Sequence, residues 1–170
     1  MTDHRPKNLS SAGAGRAAGK ASAVSPDHSL DTADCLCFAL RKSARAVTQT
    51  YDAALEPIGL RTTQFSLLET LRAAGPLTVS KLAESMVMDR TTLTRNLAPV
   101  EKQGLIKIAP GRRDKRTKEI ALTAKGANRL AQAEPLWRVV QNHMRRALGA
   151  KRSDHLLFEL DIASTAALAR

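Results

Sequence analysis

Between residues 89 and 103 the side chains sort into two sets at helical spacing. Leu93, Leu97 and Val100 recur on one side, while Thr91, Thr92, Thr94 and Arg95 lie away from it, with Arg90 at the leading turn. The exposed set is therefore two guanidiniums and three short hydroxyls. No acid interrupts it between Asp89, at the cap position, and Glu101. An ordinary solvated helix face mixes charges of both signs. A face of Arg and Thr instead suits the major groove of DNA. There guanidinium reads guanine edges, and hydroxyls and methyls meet phosphate and thymine.

A second cationic group follows at Gly111-Arg112-Arg113-Asp114-Lys115-Arg116-Thr117. Arg112, Arg113, Lys115 and Arg116 stand against the single Asp114, which we expect to hold a neighbouring guanidinium in place. Cations packed so densely repel one another unless phosphates neutralise them. A narrow arginine-tipped protrusion fits a minor groove, where the potential is most negative.

These two groups need a scaffold. Leu77 to Met88 reads as a short helix capped by Thr78, and Asp89 opens a second one, Arg90 to Gln103, closed by Gly104. Two helices joined by so brief a turn form a helix-turn-helix. Leu105, Ile106 and Ile108 then read as a strand, Pro110-Gly111 as the start of a turn, and Lys118 to Leu122 as the returning strand. The fold class expected is mostly α with a small β-hairpin wing: a winged helix-turn-helix over about residues 62–122, with a preceding helix from Thr62 to Ala73.

Flanking helices complete the domain. The first is expected from Asp34 to Leu55, with Leu36, Leu40, Val47, Tyr51 and Ala54 on one stripe, ended by Pro57 and Gly59. After the wing, Thr123 to Leu148 carries Leu130, Ala133, Trp137, Val140, Met144 and Leu148, with a kink expected at Pro135. A last helix is expected to start at Ser153, with Leu156, Leu157, Leu160, Ala163, Ala167 and Leu168 on one face. Apolar stripes this broad on terminal helices suggest a dimer interface, at about residues 34–56 and 124–168. Residues 1–29, rich in Ala, Gly, Ser and charge, have no periodicity and read as a disordered basic tail; 30–170 read as one domain.

Composition agrees. The 170-residue chain carries 27 Lys and Arg against 16 Asp and Glu, a formal net charge of +11, which favours a polyanionic partner. Aromatics make up 3% of the residues, so its apolar content suits packed helices more than a sandwich or barrel. Two cysteines spaced as Cys35-Leu36-Cys37 close no useful loop, which points to a reducing, cytoplasmic compartment. No apolar run is long enough to span a membrane. His4, His28, His143 and His155 lack ligand spacing, and no nucleotide fingerprint is present, so neither a metal, a cofactor nor an enzyme is expected.

The stretches LAESMVMDRTTLTRNLAPVEKQGLI and GRRDKRTKEIALTAKG, with Asp114-Lys115-Arg116 as an Asp-x-Arg wing signature, resemble the MarR family of bacterial winged-helix regulators. The resemblance extends over about residues 30–168. It implies a homodimer on a pseudo-palindromic operator, with Arg116 in the minor groove and Arg90 to Arg95 in the major groove. It also implies repression relieved by a small aromatic ligand or an oxidant. The segment CLCFALRKSARAVTQTY is similar to the start of the family's peroxide-sensing branch. Cys37 matches the sensor cysteine there, and Tyr51 matches a tyrosine that bonds its thiolate. Arg41 and Thr62 stand where that branch has further tyrosines. On a helix the two thiols would point apart, so a disulfide between them would require unwinding; the plain alternative is that both are small buried hydrophobes. A structural, non-specific DNA coater and a thiol redox protein acting through Cys37 remain as other readings.

Overall fold

The computed structural model describes residues 32, 34–111 and 114–169. The tail assigned to residues 1–29, and Arg112 and Arg113 at the wing tip, lie outside the described residues. In chain order the elements are α1 (Leu36–Leu55), a 3₁₀ turn (Glu56–Ile58), α2 (Thr62–Ala74), β1 (Leu77–Thr78), α3 (Val79–Ser85), α4 (Arg90–Lys102), β2 (Ile106–Pro110), β3 (Lys118–Leu122), α5 (Ala124–Leu148) and α6 (Ala150–Leu168).

Local chemistry sets most of these boundaries. The hydroxyl of Thr78 accepts from the Lys81 N–H, Asp89 Oδ1 accepts from the Thr92 N–H at 2.8 Å, and the Thr123 hydroxyl accepts from the Gly126 N–H at 3.0 Å. Each side chain satisfies one of the orphan donors that open a helix. Gly104, at φ 70°, turns the chain out of α4 into β2. The turn between α3 and α4 passes through Val87 at φ 51°, a left-handed conformation that a β-branched residue rarely adopts.

The sheet has three antiparallel strands in the order β1-β3-β2. Ile120 of the central strand faces Leu77 on one side and Ile108 on the other, and is fully buried. The two-residue β1 was not expected; the sequence placed Leu77 inside the first helix of the pair. That helix is correspondingly shorter, beginning at Val79 and ending at Ser85. Pro110, expected in the turn, is the last residue of β2 and pairs with Lys118.

The core is made by the winged helix together with the ends of α1 and α5 that reach into it. Leu55, Leu60, Leu67, Leu68, Leu71, Leu82, Leu93, Leu97, Val100, Leu105, Leu130 and Ala133 are buried in it, and Phe65 stacks on Trp137 with ring centroids 6.0 Å apart. The start of α5 lies so close to the sheet that a Cβ on Gly126 would sit 2.0 Å from the Leu105 carbonyl oxygen. Only glycine permits that approach.

Outside this core the picture changes. Leu36 is 79% exposed, Leu157 58% and Phe158 60%, and Leu40, Val47, Leu156, Ile162 and Leu168 are exposed too. The first half of α1 and the length of α6 border one apolar groove, lined by Leu36, Leu40, Val47, Leu156, Leu160 and Leu168 among others. One expectation needs correction here. α6 starts at Ala150, not Ser153: Gly149 ends α5 at φ 84° and α6 begins at once, leaving Ser153 buried in its first turn with its hydroxyl donating to the Gly149 carbonyl. Helix α5 spans 25 residues with Pro135 inside it, and Leu130, Ala133 and Val140 are turned into the fold.

Candidate nucleic-acid interface

The Asp89 cap anchors α4, and Leu93, Leu97 and Val100, all at most 1% exposed, press its inner side against the core. That leaves Arg90, Thr91, Thr94 and Arg95 exposed and Thr92 half-buried. The Asp89 carboxyl is held below its ordinary range, chiefly by its hydrogen bonds from Thr92, and so remains ionised at the positive end of α4. The Thr94 hydroxyl donates to the Arg90 carbonyl at 2.7 Å, and Arg95 reaches back to the Thr92 hydroxyl at 3.5 Å. The guanidinium of Arg95 is therefore steered along the exposed face.

The wing is positioned by its own turn. Gly111 donates to the Thr117 carbonyl, and a Cβ there would fall 2.6 Å from the Asp114 carbonyl oxygen. Asp114 Oδ1 accepts from the backbone N–H of Arg116 at 2.9 Å, and the Thr117 hydroxyl donates to the Asp114 carbonyl at 2.7 Å. Asp114 therefore shapes the turn through the backbone. Among the described residues no guanidinium is paired with its carboxylate; Arg112 and Arg113, the nearest neighbours before it, lie outside the described residues.

Between helix and wing lies a cleft. Arg90, Thr94, Leu97 and Ala98 form one wall and Lys115, Arg116, Thr117 and Lys118 the other, with Val79 and Ser80 of α3 at one end. Two residue groups at least 17 positions apart thus share one surface. Thr91, Thr92 and Arg95 lie on α4 but do not line the cleft. Ser80 belongs to this surface and sequence reasoning passed over it. Its signal was a second small hydroxyl beside the Thr78 cap.

The charge distribution supports the same surface. Asp52, Glu69, Glu134 and Asp154 each hold an arginine elsewhere: Arg61, Arg72, Arg138 and Arg145 respectively. Among the described residues, Arg90, Arg95, Lys115 and Arg116 are in no such pair. Glu101 is an acid lining the same cleft, where it is outnumbered by Arg90, Lys115, Arg116 and Lys118, and that excess of positive charge suits a phosphate backbone.

The cysteines behave differently from the expectation. Cys35 is the N-cap of α1 with extended backbone and Cys37 is the second helical residue; both thiols are free and exposed. They are not buried hydrophobes, and because Cys35 stands outside the helix, the argument that helical geometry keeps the two thiols apart does not apply. Tyr51 does not bond Cys37 within the chain. It lies four turns further along α1, about 21 Å by helical rise, and its hydroxyl donates to Gln141 Oε1 on α5 at 2.5 Å.

A helix-turn-helix braced by a three-stranded wing, with an unpaired cationic cleft between them, defines a winged-helix DNA-binding protein. The MarR family model matches residues 60–118. Over 92 residues the chain is 37% identical to the organic hydroperoxide resistance transcriptional regulator of Bacillus subtilis, covering 54% of this chain and 63% of that one. An HTH-type transcriptional regulator of Bacillus cereus is 31% identical over 106 residues, 62% of this chain and 70% of the relative. Among solved structures, the M. tuberculosis transcriptional regulator MosR in complex with DNA superposes with a TM-score of 0.70 at 40% identity, covering 79% of this chain and 99% of that one. The repressor CouR bound to a 23-mer DNA duplex gives 0.72 at 26% identity, covering 78% and 94%. The chain belongs to the MarR family, whose members named here are transcriptional regulators and not enzymes. The match spans under two thirds of the Bacillus subtilis regulator's length. Among the described residues no helix is long and apolar enough to cross a membrane.

Proposed function

We propose that the protein is a sequence-specific, DNA-binding transcriptional regulator that acts in the cytoplasm as a homodimer on a pseudo-palindromic operator, repressing until an effector releases it. The observation that carries this reading is the cleft in which Arg90 and Thr94 of α4 face Lys115 and Arg116 of the wing with no described acid pairing them. In this reading α4 enters the major groove and supplies specificity through Arg90, Thr91, Thr92, Thr94 and Arg95. The wing follows the minor groove through Arg112, Arg113, Lys115 and Arg116. The apolar groove between α1 and α6 is closed by the same groove of a second copy, which places two reading heads about one helical turn apart. The DNA complexes of MosR and CouR support the choice of partner.

Fluorescence anisotropy on selected operator and on random duplex tests it. Arg95→Ala should cost about 1–3 kcal/mol on the operator and narrow the gap to random DNA; Arg116→Ala should weaken both. Equal losses from Arg95→Ala on the two duplexes, or no loss from Arg116→Ala, rule out the assigned roles. A non-specific DNA coater would instead show a steep salt slope and no sequence preference from the start.

For the effector, thiol oxidation is favoured by one observation: Cys37 is a free, exposed thiol in the first turn of α1, at the edge of the arm that forms the dimer. The hydroperoxide-resistance relative supports the same choice. A small aromatic ligand is the other candidate. A Cys37→Ser protein should stay on DNA at peroxide doses that release the unaltered protein; release at the same dose eliminates the sensor role.

A further inference from the structure

Helix α2 opens the winged helix, yet its N-cap position is Arg61, whose side chain has no acceptor. One part of the cap is local, with Gln64 Oε1 accepting from the Arg61 N–H at 3.0 Å; the other part comes from elsewhere. Asp52, on the last turns of α1, accepts from the Thr62 N–H through Oδ1 at 2.6 Å and from the Arg61 guanidinium through Oδ2 at 3.4 Å. α1 is shared between two regions: its first half borders the exposed apolar groove, while Tyr51 and Leu55 are buried in the core. Asp52 sits at the crossing point.

The chain between them is otherwise a pivot. It leaves α1 through the 3₁₀ turn Glu56–Ile58 and turns at Gly59, which is left-handed at φ 66°. A second strut holds the same turn from the other side, where Arg129 of α5 donates through Nη1 to the Ile58 carbonyl. The elbow is thus gripped by one side chain from each of the two long helices. A carboxylate at a helix N-terminus that also accepts from a guanidinium makes charge-assisted, directional bonds. It therefore fixes an orientation in a way that apolar contact does not.

We infer that Asp52 is a positioning residue for DNA recognition: it fixes the angle between the dimer arm and the winged helix, and through it the half-site separation that the protein accepts. The inference rests on the dimeric reading above. A dimer reads two half-sites only if both recognition helices are held at a matching separation and phase. With the Asp52 cap intact the elbow admits one orientation. Without it, the left-handed glycine and the short turn let the reading heads reach several spacings, each at lower affinity.

The experiment uses the full chain and a panel of duplexes carrying the selected half-sites with one or two base pairs inserted or removed, plus a random duplex. Dimer mass and thermal midpoint are recorded for each variant. Asp52→Ala is expected to lose about 2- to 30-fold on the preferred spacing, to flatten the spacing profile, and to keep both its dimer mass and its affinity for random DNA. Asp52→Asn, which keeps an acceptor for the Thr62 N–H and loses the charge, should fall between the two. An Asp52→Ala profile parallel to that of the unaltered protein overturns the inference, as does an equal loss on every duplex including the random one. An unaltered protein that shows no preference for operator over random DNA defeats the functional reading itself, and that result is visible before any variant is made.

Discussion

The winged helix and the arm formed by α1 and α6 both carry apolar helical stripes, and the stripes meet opposite fates. In the winged helix, leucines from α2, α3 and α4 and the sheet's Ile106 and Ile120 meet one another and are almost wholly buried; Leu68, Leu82 and Leu93 have no exposed surface. In the arm, Leu36, Leu157, Phe158 and Leu168 remain more than half exposed. Both carry helical stripes of the kind that pack. The difference is that the chain returns to the first region many times and to the second only once. A single pair of helices cannot enclose its own stripe. The winged helix thus encloses its own core within one chain, and on the dimeric reading proposed above the arm is half of an interface.

The sharpest way to break this contrast is to damage the self-sufficient half. Leu68→Ala should cost about 2–5 kcal/mol and lower the thermal midpoint, at any protein concentration. A loss that shrinks as concentration rises would mean that the winged helix, too, depends on a partner. The arm should answer differently. Leu156→Glu lies on a half-exposed position in one chain, so the fold of that chain should survive, with helical content by circular dichroism unchanged. The dimer should weaken by about 3 kcal/mol or more, since symmetry removes two buried leucines at once. Sedimentation equilibrium measures it, and an unaltered dimer mass would show that the groove is closed in some other way. The DNA-contact and elbow variants described above are smaller effects within the same scheme. They leave both halves folded and alter what the halves do together.

Much of this was legible in the sequence where the cause is local. Thr78, Asp89 and Thr123 cap helices three residues ahead of them, Gly104 stops one, and the alternation of Ile106, Ile108, Ile120 and Leu122 gives the wing. The face of Arg90 to Arg95 follows from helical spacing alone. What escaped was set by partners far along the chain. β1 is two residues long and exists because Leu77 and Thr78 pair with Ile120 and Glu119. The role of Asp114 depended on a backbone N–H two residues away, which charge counting overlooks. Tyr51 was tied to a cysteine by resemblance, whereas in the chain its partner is Gln141, 90 positions away. Asp52 was silent for the same reason, although a hint existed: a helix beginning after arginine has no acceptor at its N-cap side chain, and Gln64 serves only the Arg61 N–H.

Gly149 decides how far the molecule reaches. Its backbone, at φ 84° and ψ 144°, lets one helix stop and the next begin without a linker. A side chain there would favour letting the two run together, and roughly the last quarter of the protein would become a rod of about 65 Å. The leucines of its far end would then overshoot their counterparts on a second copy, and no pair of neighbouring grooves on a duplex would suit the span that resulted. On the dimeric reading proposed above, the size of the DNA site would thus rest, at a distance, on one absent methyl group.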